Sequence, residues 1–282
     1  MKILFCTDGS EISFNALRNF AKIQPNSEVD IFCSVDYSFL PDTYALEIAT
    51  YENTCSQIAS DIIINAKETA EEVGLTFGKS IQYCGETVGG ILDTAKFGNY
   101  DLILMGSNGK KGLQRWLGSV SRDVINHSET SVYISKHKNE GKKILFATDG
   151  SSNSKLALKD AIKFLNLKDK EIYACIVLEN PSLLFLEGSI DTNWLMKISE
   201  LQRKYAADIL EEFNETLKQY ELSINEEESL SGIPAVKIAD YAKEKGIDLI
   251  ILGTRQGKKG FWQTSVSKRV TELTESDVII FK

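Results

Sequence analysis

The sequence predicts two tandem α/β domains, each built on a doubly wound, five-stranded parallel sheet. Three observations carry this. The segment from Lys2 to Ser10, KILFCTDGS, returns as KILFATDGS from Lys143 to Ser151, with eight of nine positions identical at an offset of 141. Further matches follow in the same order: Asp101-Leu102-Ile103 with Asp248-Leu249-Ile250, Gly109-Lys110-Lys111-Gly112 with Gly257-Lys258-Lys259-Gly260, and Ser119-Val120-Ser121 with Ser265-Val266-Ser267. Within each copy, short apolar runs alternate with helix-length amphipathic segments, the pattern of parallel strands joined by crossover helices. A period this long is a duplicated globular domain, because solenoid repeats run ~20–50 residues. The boundaries follow: domain 1 over 1–138, a polar linker at 139–142, and domain 2 over 143–282.

Each element has its own signature. Ile3 to Thr7 is a continuous apolar run, as a strand buried on both faces requires. Asp8-Gly9-Ser10 turns the chain into a helix that Ser10 or Ser13 can cap, with Phe14, Leu17, Phe20 and Ala21 on one face. Val29–Val35 reads as the second strand, 42–73 as a long helix, and Ile81–Cys84 as the third strand. Val88–Phe97 is helix, Leu102–Met105 strand, Ser119–Asn126 helix, and Val132–Ile134 the closing strand. The second copy places strands at Ile144–Ala147, Ile172–Leu178, Ile224–Glu228, Leu249–Leu252 and Val278–Phe281. Right-handed crossovers leave few topologies for such a unit. Ligands of such sheets bind at the carboxyl ends of the strands, where strand order reverses.

Composition narrows the function. The chain has 282 residues, 43% hydrophobic and 26% charged, enough apolar content for packed cores. A net charge of −8 argues against a nucleic-acid binder. No apolar run approaches the ~18 residues of a membrane span. Asp8 follows the start too closely for a signal peptide. Five widely spaced cysteines without a C-x-x-C read as free thiols in a reducing cytoplasm rather than a disulfide scaffold. Two histidines do not suggest a multi-histidine metal site, and Glu226-Glu227-Glu228, as successive strand residues, cannot share one site.

Two loops per copy sit at strand ends. Thr7-Asp8-Gly9-Ser10 and Thr148-Asp149-Gly150-Ser151 each place an acid beside a glycine turn. That acid can accept a hydrogen bond from a ligand, or simply help cap the next helix. After the fourth strand, Gly106-Ser107-Asn108-Gly109-Lys110-Lys111-Gly112 leads to Gly118-Ser119-Val120-Ser121 at a helix start. Glycines admit a close phosphate, and free amides with the helix dipole favour an anion. A flexible glycine turn is the alternative reading. The loop is neither a Walker A sequence nor G-x-G-x-x-G. No G-x-S-x-G elbow accompanies His127, so a hydrolase triad is not supported. The third strand ends in Tyr83-Cys84 rather than a phospho-accepting aspartate, which argues against a phosphorelay receiver.

A first strand ending in Asp, then G-x-x-G, a spacer and G-S/T after the fourth strand, resembles the universal stress protein family. The resemblance spans both copies, including Gly85-Glu86-Thr87 and Gly232-Ile233-Pro234 before the third helix. It implies strand order 3-2-1-4-5, an adenine nucleotide alpha hydrolase-like fold, and binding of ATP or another adenine nucleotide, with or without Mg2+. Carried over, the first-site residues are Thr7, Asp8, Gly9, Val35, Met105, Gly106, Gly109, Gly118, Ser119, Val120 and Ser121. The second, weaker site takes Asp149, Gly253, Gly257, Ser265, Val266 and Ser267. Gln256 lengthens the second glycine motif and Thr264 replaces its clamp glycine; in the first copy eight residues rather than nine separate Gly109 from Gly118. The expectation is a working site in domain 1 and a degenerate one in domain 2. The resemblance also implies a cytoplasmic stress-response regulator, pairing of the two halves through their last strands, and a homodimer as a further option. Catalysis is at most slow ATP hydrolysis or autophosphorylation, with Arg115 the weak candidate; a nucleotide-free scaffold is the remaining alternative.

Overall fold

In the computed structural model, described for residues 1–36, 45–108, 117–179, 192–254 and 265–282, the chain forms one ten-stranded sheet with helices on both faces. The side chains of residues 45–54, Thr192, Leu195 and Ser265 are outside the description. In the first half the elements are β1 (Ile3–Thr7), α1 (Glu11–Ile23), β2 (Glu28–Val35), α2 (Ala45–Glu72), β3 (Thr76–Cys84), α3 (Thr87–Phe97), β4 (Leu102–Gly106), α4 (Ser119–His127) and β5 (Ser131–Ser135). The second half repeats them as β6 (Lys143–Thr148), α5 (Ser152–Phe164), β7 (Glu171–Leu178), α6 (Thr192–Lys218), β8 (Glu226–Ser231), α7 (Pro234–Lys245), β9 (Leu249–Gly253), α8 (Ser265–Leu273) and β10 (Asp277–Phe281).

Strand order is β3-β2-β1-β4-β5-β10-β9-β6-β7-β8, so each half runs 3-2-1-4-5. All pairs within a half are parallel. The halves meet at an antiparallel pair in which Tyr133 of β5 faces Ile279 of β10. The core has two layers because side chains alternate across the sheet. Ile3 and Phe5 lie under α1 and α2, whereas Leu4 and Cys6 lie on the face of α3 and α4. Each layer continues from one half into the other.

The central strands match the expected runs closely. The outer ones differ. β3 begins at Thr76, five residues before the expected Ile81, and β8 covers 226–231 rather than 224–228. Both are edge strands, half-exposed, so their sequences lack a continuous apolar run. Of the expected long helix, 42–44 lies outside the described residues; the rest forms α2.

Two of the five cysteines, Cys55 and Cys84, are not the free thiols expected of them. Cys6, Cys33 and Cys175 are buried free thiols, but Cys55 of α2 is disulfide-bonded to Cys84 of β3. The partners are 29 residues apart in sequence with Cα atoms 6.4 Å apart. Only the packing of α2 across β3 brings them together, which no spacing motif reveals.

Candidate functional site

The first site is assembled at the ends of β1 and β4, where strand order reverses. Gly9 has φ +75° and so supplies the left-handed turn after β1. Its amide donates to Thr7 Oγ1 at 3.0 Å, and Ser10 N donates to Asp8 Oδ1 at 3.0 Å. Thr7 and Ser13 hydroxyls meet at 2.7 Å, and Ser10 Oγ accepts from Ser13 N as the cap of α1. The aspartate therefore does take part in the turn before α1, yet its side chain stays exposed at the cavity mouth. The same bonds recur in the second half among Thr148, Gly150, Asp149, Ser151 and Ser154.

Gly106 ends β4 where a side chain would press on α1: an added Cβ would lie 3.0 Å from Ser13 N. Beyond it, Ser107 N donates to Ser135 O at 2.8 Å, and Gly118 N donates to Ser107 O at 2.7 Å. Gly118 is the N-cap of α4 and offers no side-chain acceptor to the first amides of that helix. Those amides point outward with the positive end of the helix dipole. Ser121 is tied down by its hydroxyl, which donates to Gly106 O at 2.9 Å.

A cavity of about 180 Å³ opens between these parts. Thr7, Asp8, Met105, Gly106, Val120 and Ser121, all expected site residues, line it. Gly9, Gly118 and Ser119 flank it as turn, cap and exposed helix start. Val35 is not among the cavity's lining residues: its side chain packs toward the layer under α1 and α2. The β2 wall is made instead by Phe32 and Ser34, which alternation places on the opposite face. Ser34 Oγ lies 3.1 Å from Thr87 Oγ1, and Ile91 and Cys6 complete an apolar floor. Burial and the neighbouring Cys33 push the Cys6 thiol far up, so it acts as a neutral apolar group. A polar rim with an acid and free amides, over an apolar floor, suits a flat apolar group carrying an anionic tail.

The second half has a corresponding cavity of about 380 Å³. Asp149, Gly253, Val266 and Ser267 line it, as expected for that site. Its greater volume has a local cause. Cys175 stands where Phe32 fills the first cavity, and Ala147 where Cys6 does. Val177 and Pro234 replace the Ser34–Thr87 hydroxyl pair, and Glu179 adds an acid at the rim.

Several residues of these motifs lie outside the described residues: Gly109, Lys110, Lys111 and Arg115, and in the second half Gln256, Gly257, Lys258, Lys259 and Thr264. Ser265 is described only as the start of α8. His127 ends α4, with Nδ1 2.8 Å from Asp123 O, remote from the cavity. Among the described residues, no cluster of three or more metal-ligating side chains occurs, and no helix is long and apolar enough to cross a membrane.

This fold, with a cavity at the strand ends of each half, defines a duplicated Rossmann-like α/β domain. The chain belongs to the universal stress protein family, whose model matches residues 1–136 and again 141–282. It is 34% identical to a universal stress protein of Methanocaldococcus jannaschii over 154 residues, covering 53% of this chain and 86% of that one. It is 31% identical to the universal stress protein YxiE of Bacillus subtilis over 147 residues, covering 50% and 98%. The crystal structure of a universal stress protein from Archaeoglobus fulgidus aligns over 100% of this chain and 98% of its own, with a TM-score of 0.74 and 23% identity.

Proposed function

We propose that this tandem universal stress protein is a cytoplasmic regulator that binds ATP or a related adenine nucleotide, chiefly in its first half. The observation that carries the reading is the placement of the exposed Asp8 carboxylate and the uncapped start of α4 on one 180 Å³ cavity at the strand-order switch. In this reading the base lies on Phe32, Ile91 and Met105, Asp8 accepts from a ribose hydroxyl, and the phosphates meet the amides of Ser119, Val120 and Ser121. Mg2+, where present, would accompany the phosphates. Each charge-assisted hydrogen bond contributes ~1.5–3 kcal/mol, so three or four together supply about 4.5–12 kcal/mol against the association cost, with burial of the base adding to them.

The second cavity is the weaker site in this reading. Its larger volume and apolar Val177 and Pro234 support a looser fit to the same ligand. We divide the chain at 139–142, with the halves acting as an internally paired unit; the β5–β10 ladder supports this. Nucleotide occupancy would then bias contacts made by either half.

The test is small-molecule release from denatured protein, read by mass spectrometry, with ATP titration calorimetry on the same batch. One nucleotide per chain is expected, lost in Asp8→Ala and weakened in Gly118→Ala. Two per chain would overturn the asymmetry, and none the nucleotide reading. A second reading, a scaffold acting through protein partners, rests on α6, where Trp194 and Met196 are 53% and 71% exposed. Slow phosphate release that tracks the Asp8 variant would instead favour a hydrolase.

A further inference from the structure

The disulfide has a specific place in the architecture. Cys84 is the last residue of β3 and directly precedes Gly85-Glu86-Thr87, the turn that leads into α3. Gly85 N donates to Val35 O at 3.2 Å, and Cys55 Sγ lies 3.9 Å from that same carbonyl oxygen. Glu86 caps α3 by accepting from Val88 N and Gly89 N at 2.7 and 2.6 Å. Thr87 then meets Ser34 across the cavity wall. The cross-link thus pins α2 to the back of the strand ends whose front forms the first cavity.

The second half lacks it. Ile62 and Ile209 occupy equivalent places, each against the glycine after the first strand of its half, so Cys55 corresponds to Gln202. Cys84 corresponds to Ser231, which likewise precedes the turn glycine. Gln202 Nε2 instead donates to Glu179 O at 3.1 Å. The remaining thiols are poor participants in thiol chemistry. Cys6, Cys33 and Cys175 are buried, and burial pushes the Cys175 thiol up to about 12. Cys84, by contrast, is partly exposed. For a protein read as cytoplasmic, a disulfide is usually transient or redox-sensing rather than a permanent staple.

We infer that Cys55–Cys84 is a redox modification site that gates the order of the first cavity wall. The reductant is a dithiol. One of its thiolates attacks Cys84 Sγ, the Cys55–Cys84 bond breaks, and Cys55 leaves as a thiolate that takes up a proton. The second thiol of the reductant then displaces Cys84 from the mixed disulfide. Two electrons and two protons pass to the protein, and the reductant becomes a disulfide. Reduction frees α2 from the end of β3, and the Ser34–Thr87 wall loses its backing. Exchange with a small-molecule disulfide, which is reduced to two thiols, reverses both steps and restores it, so the oxidised form is the pre-organised one. The affinity consequence rests on the nucleotide reading above; the change in wall order does not.

The experiment compares full-length protein, air-oxidised and dithiothreitol-treated, with a Cys55→Ala/Cys84→Ala variant. Alkylation under denaturing conditions and mass spectrometry count thiols, hydrogen exchange follows Gly85 to Gly89, and calorimetry follows ATP. We expect Cys55 and Cys84 blocked from alkylation only before reduction, faster exchange at Gly85–Gly89 after it, and roughly fivefold weaker ATP binding in the reduced form. The double variant should match the reduced protein and ignore dithiothreitol. Free Cys55 and Cys84 in the oxidised sample, or identical exchange in both forms, overturns the proposal while leaving nucleotide binding intact. Redox-dependent exchange without ATP binding in any form supports the gate and overturns the nucleotide reading. Equal ATP affinity despite a change in exchange overturns the link between wall and ligand.

Discussion

The hydroxyl of Tyr133 donates a 2.5 Å hydrogen bond to the carboxylate of Asp277, joining β5 of the first half to β10 of the second. Asp277 is fully buried and also accepts from Asn19 Nδ2 at 2.9 Å, Lys136 N at 2.7 Å and Asn139 Nδ2 at 2.9 Å. Residues of α1, β5 and the chain between the halves thus converge on one acid. Tyr133 also packs edge-on against Phe20, with ring centroids 5.8 Å apart. A carboxylate suits this place because every partner is a donor.

Asp277 makes stability depend on pH. Burial raises its pKa from 3.8 to about 6, against the opposing effect of its hydrogen bonds. The folded state therefore holds the proton more tightly than the unfolded chain. The stabilisation is full below pH 3.8 and is lost as pH rises through about 6. Two pKa units correspond to on the order of 3 kcal/mol. Asp277→Asn, which does not titrate, should be less stable overall because it loses acceptors. The wild-type advantage over it should shrink between pH 4 and pH 7, as read by urea unfolding of both proteins. A constant difference would contradict the assignment.

Gly9 and Gly74 provide a matched pair for backbone strain. Both have positive φ, +75° and +78°. A Cβ at Gly74 meets nothing within 4 Å, whereas one at Gly9 would lie 2.9 Å from Ile62 Cγ1. Gly74→Ala should cost about 1 kcal/mol from strain alone. Gly9→Ala should cost roughly 2–3 kcal/mol, since Ile62 of α2 must also move. Thermal denaturation of the two variants checks the order.

Ser121 is 3% exposed, and its hydroxyl fixes the start of α4 to Gly106 O. Ser121→Ala leaves that carbonyl without its side-chain donor and should cost about 1 kcal/mol. On the proposed reading, ATP affinity should fall about fivefold because the amides of α4 lose their alignment. Ser267→Ala, the equivalent change in the second half, should leave the tighter binding event unchanged. Calorimetry on both variants distinguishes the halves.

Phe32 is 1% exposed and stacks on Tyr83 with centroids 5.9 Å apart. Phe32→Ala should open the first cavity toward the volume of the second, costing about 3–4 kcal/mol. On the proposed reading, nucleotide affinity should fall through lost contact with the base. A milder Phe32→Leu, costing about 1 kcal/mol, keeps the protein folded for the binding measurement.

The central strands were legible because burial on both faces imposes a continuous apolar run, as in Ile3–Thr7 and Leu249–Gly253. The edge strands β3 and β8 were legible only over part of their length, because half-exposed positions carry ordinary polar residues. At the site, residues of the loops and of the α4 start were readable, since glycine turns and helix starts are local. Phe32 and Ser34 had no local signal, because one position along a strand decides which face a side chain occupies.

The sequence by itself determined the duplication, the order of elements and the two strand-end loops, all of which follow from local periodicity and turn chemistry. Tertiary structure alone decided the convergence on Asp277, the unequal cavities and the Cys55–Cys84 bond. Each of these joins residues far apart in the chain. Their proximity is fixed by how layers pack, which leaves no spacing for a sequence to display.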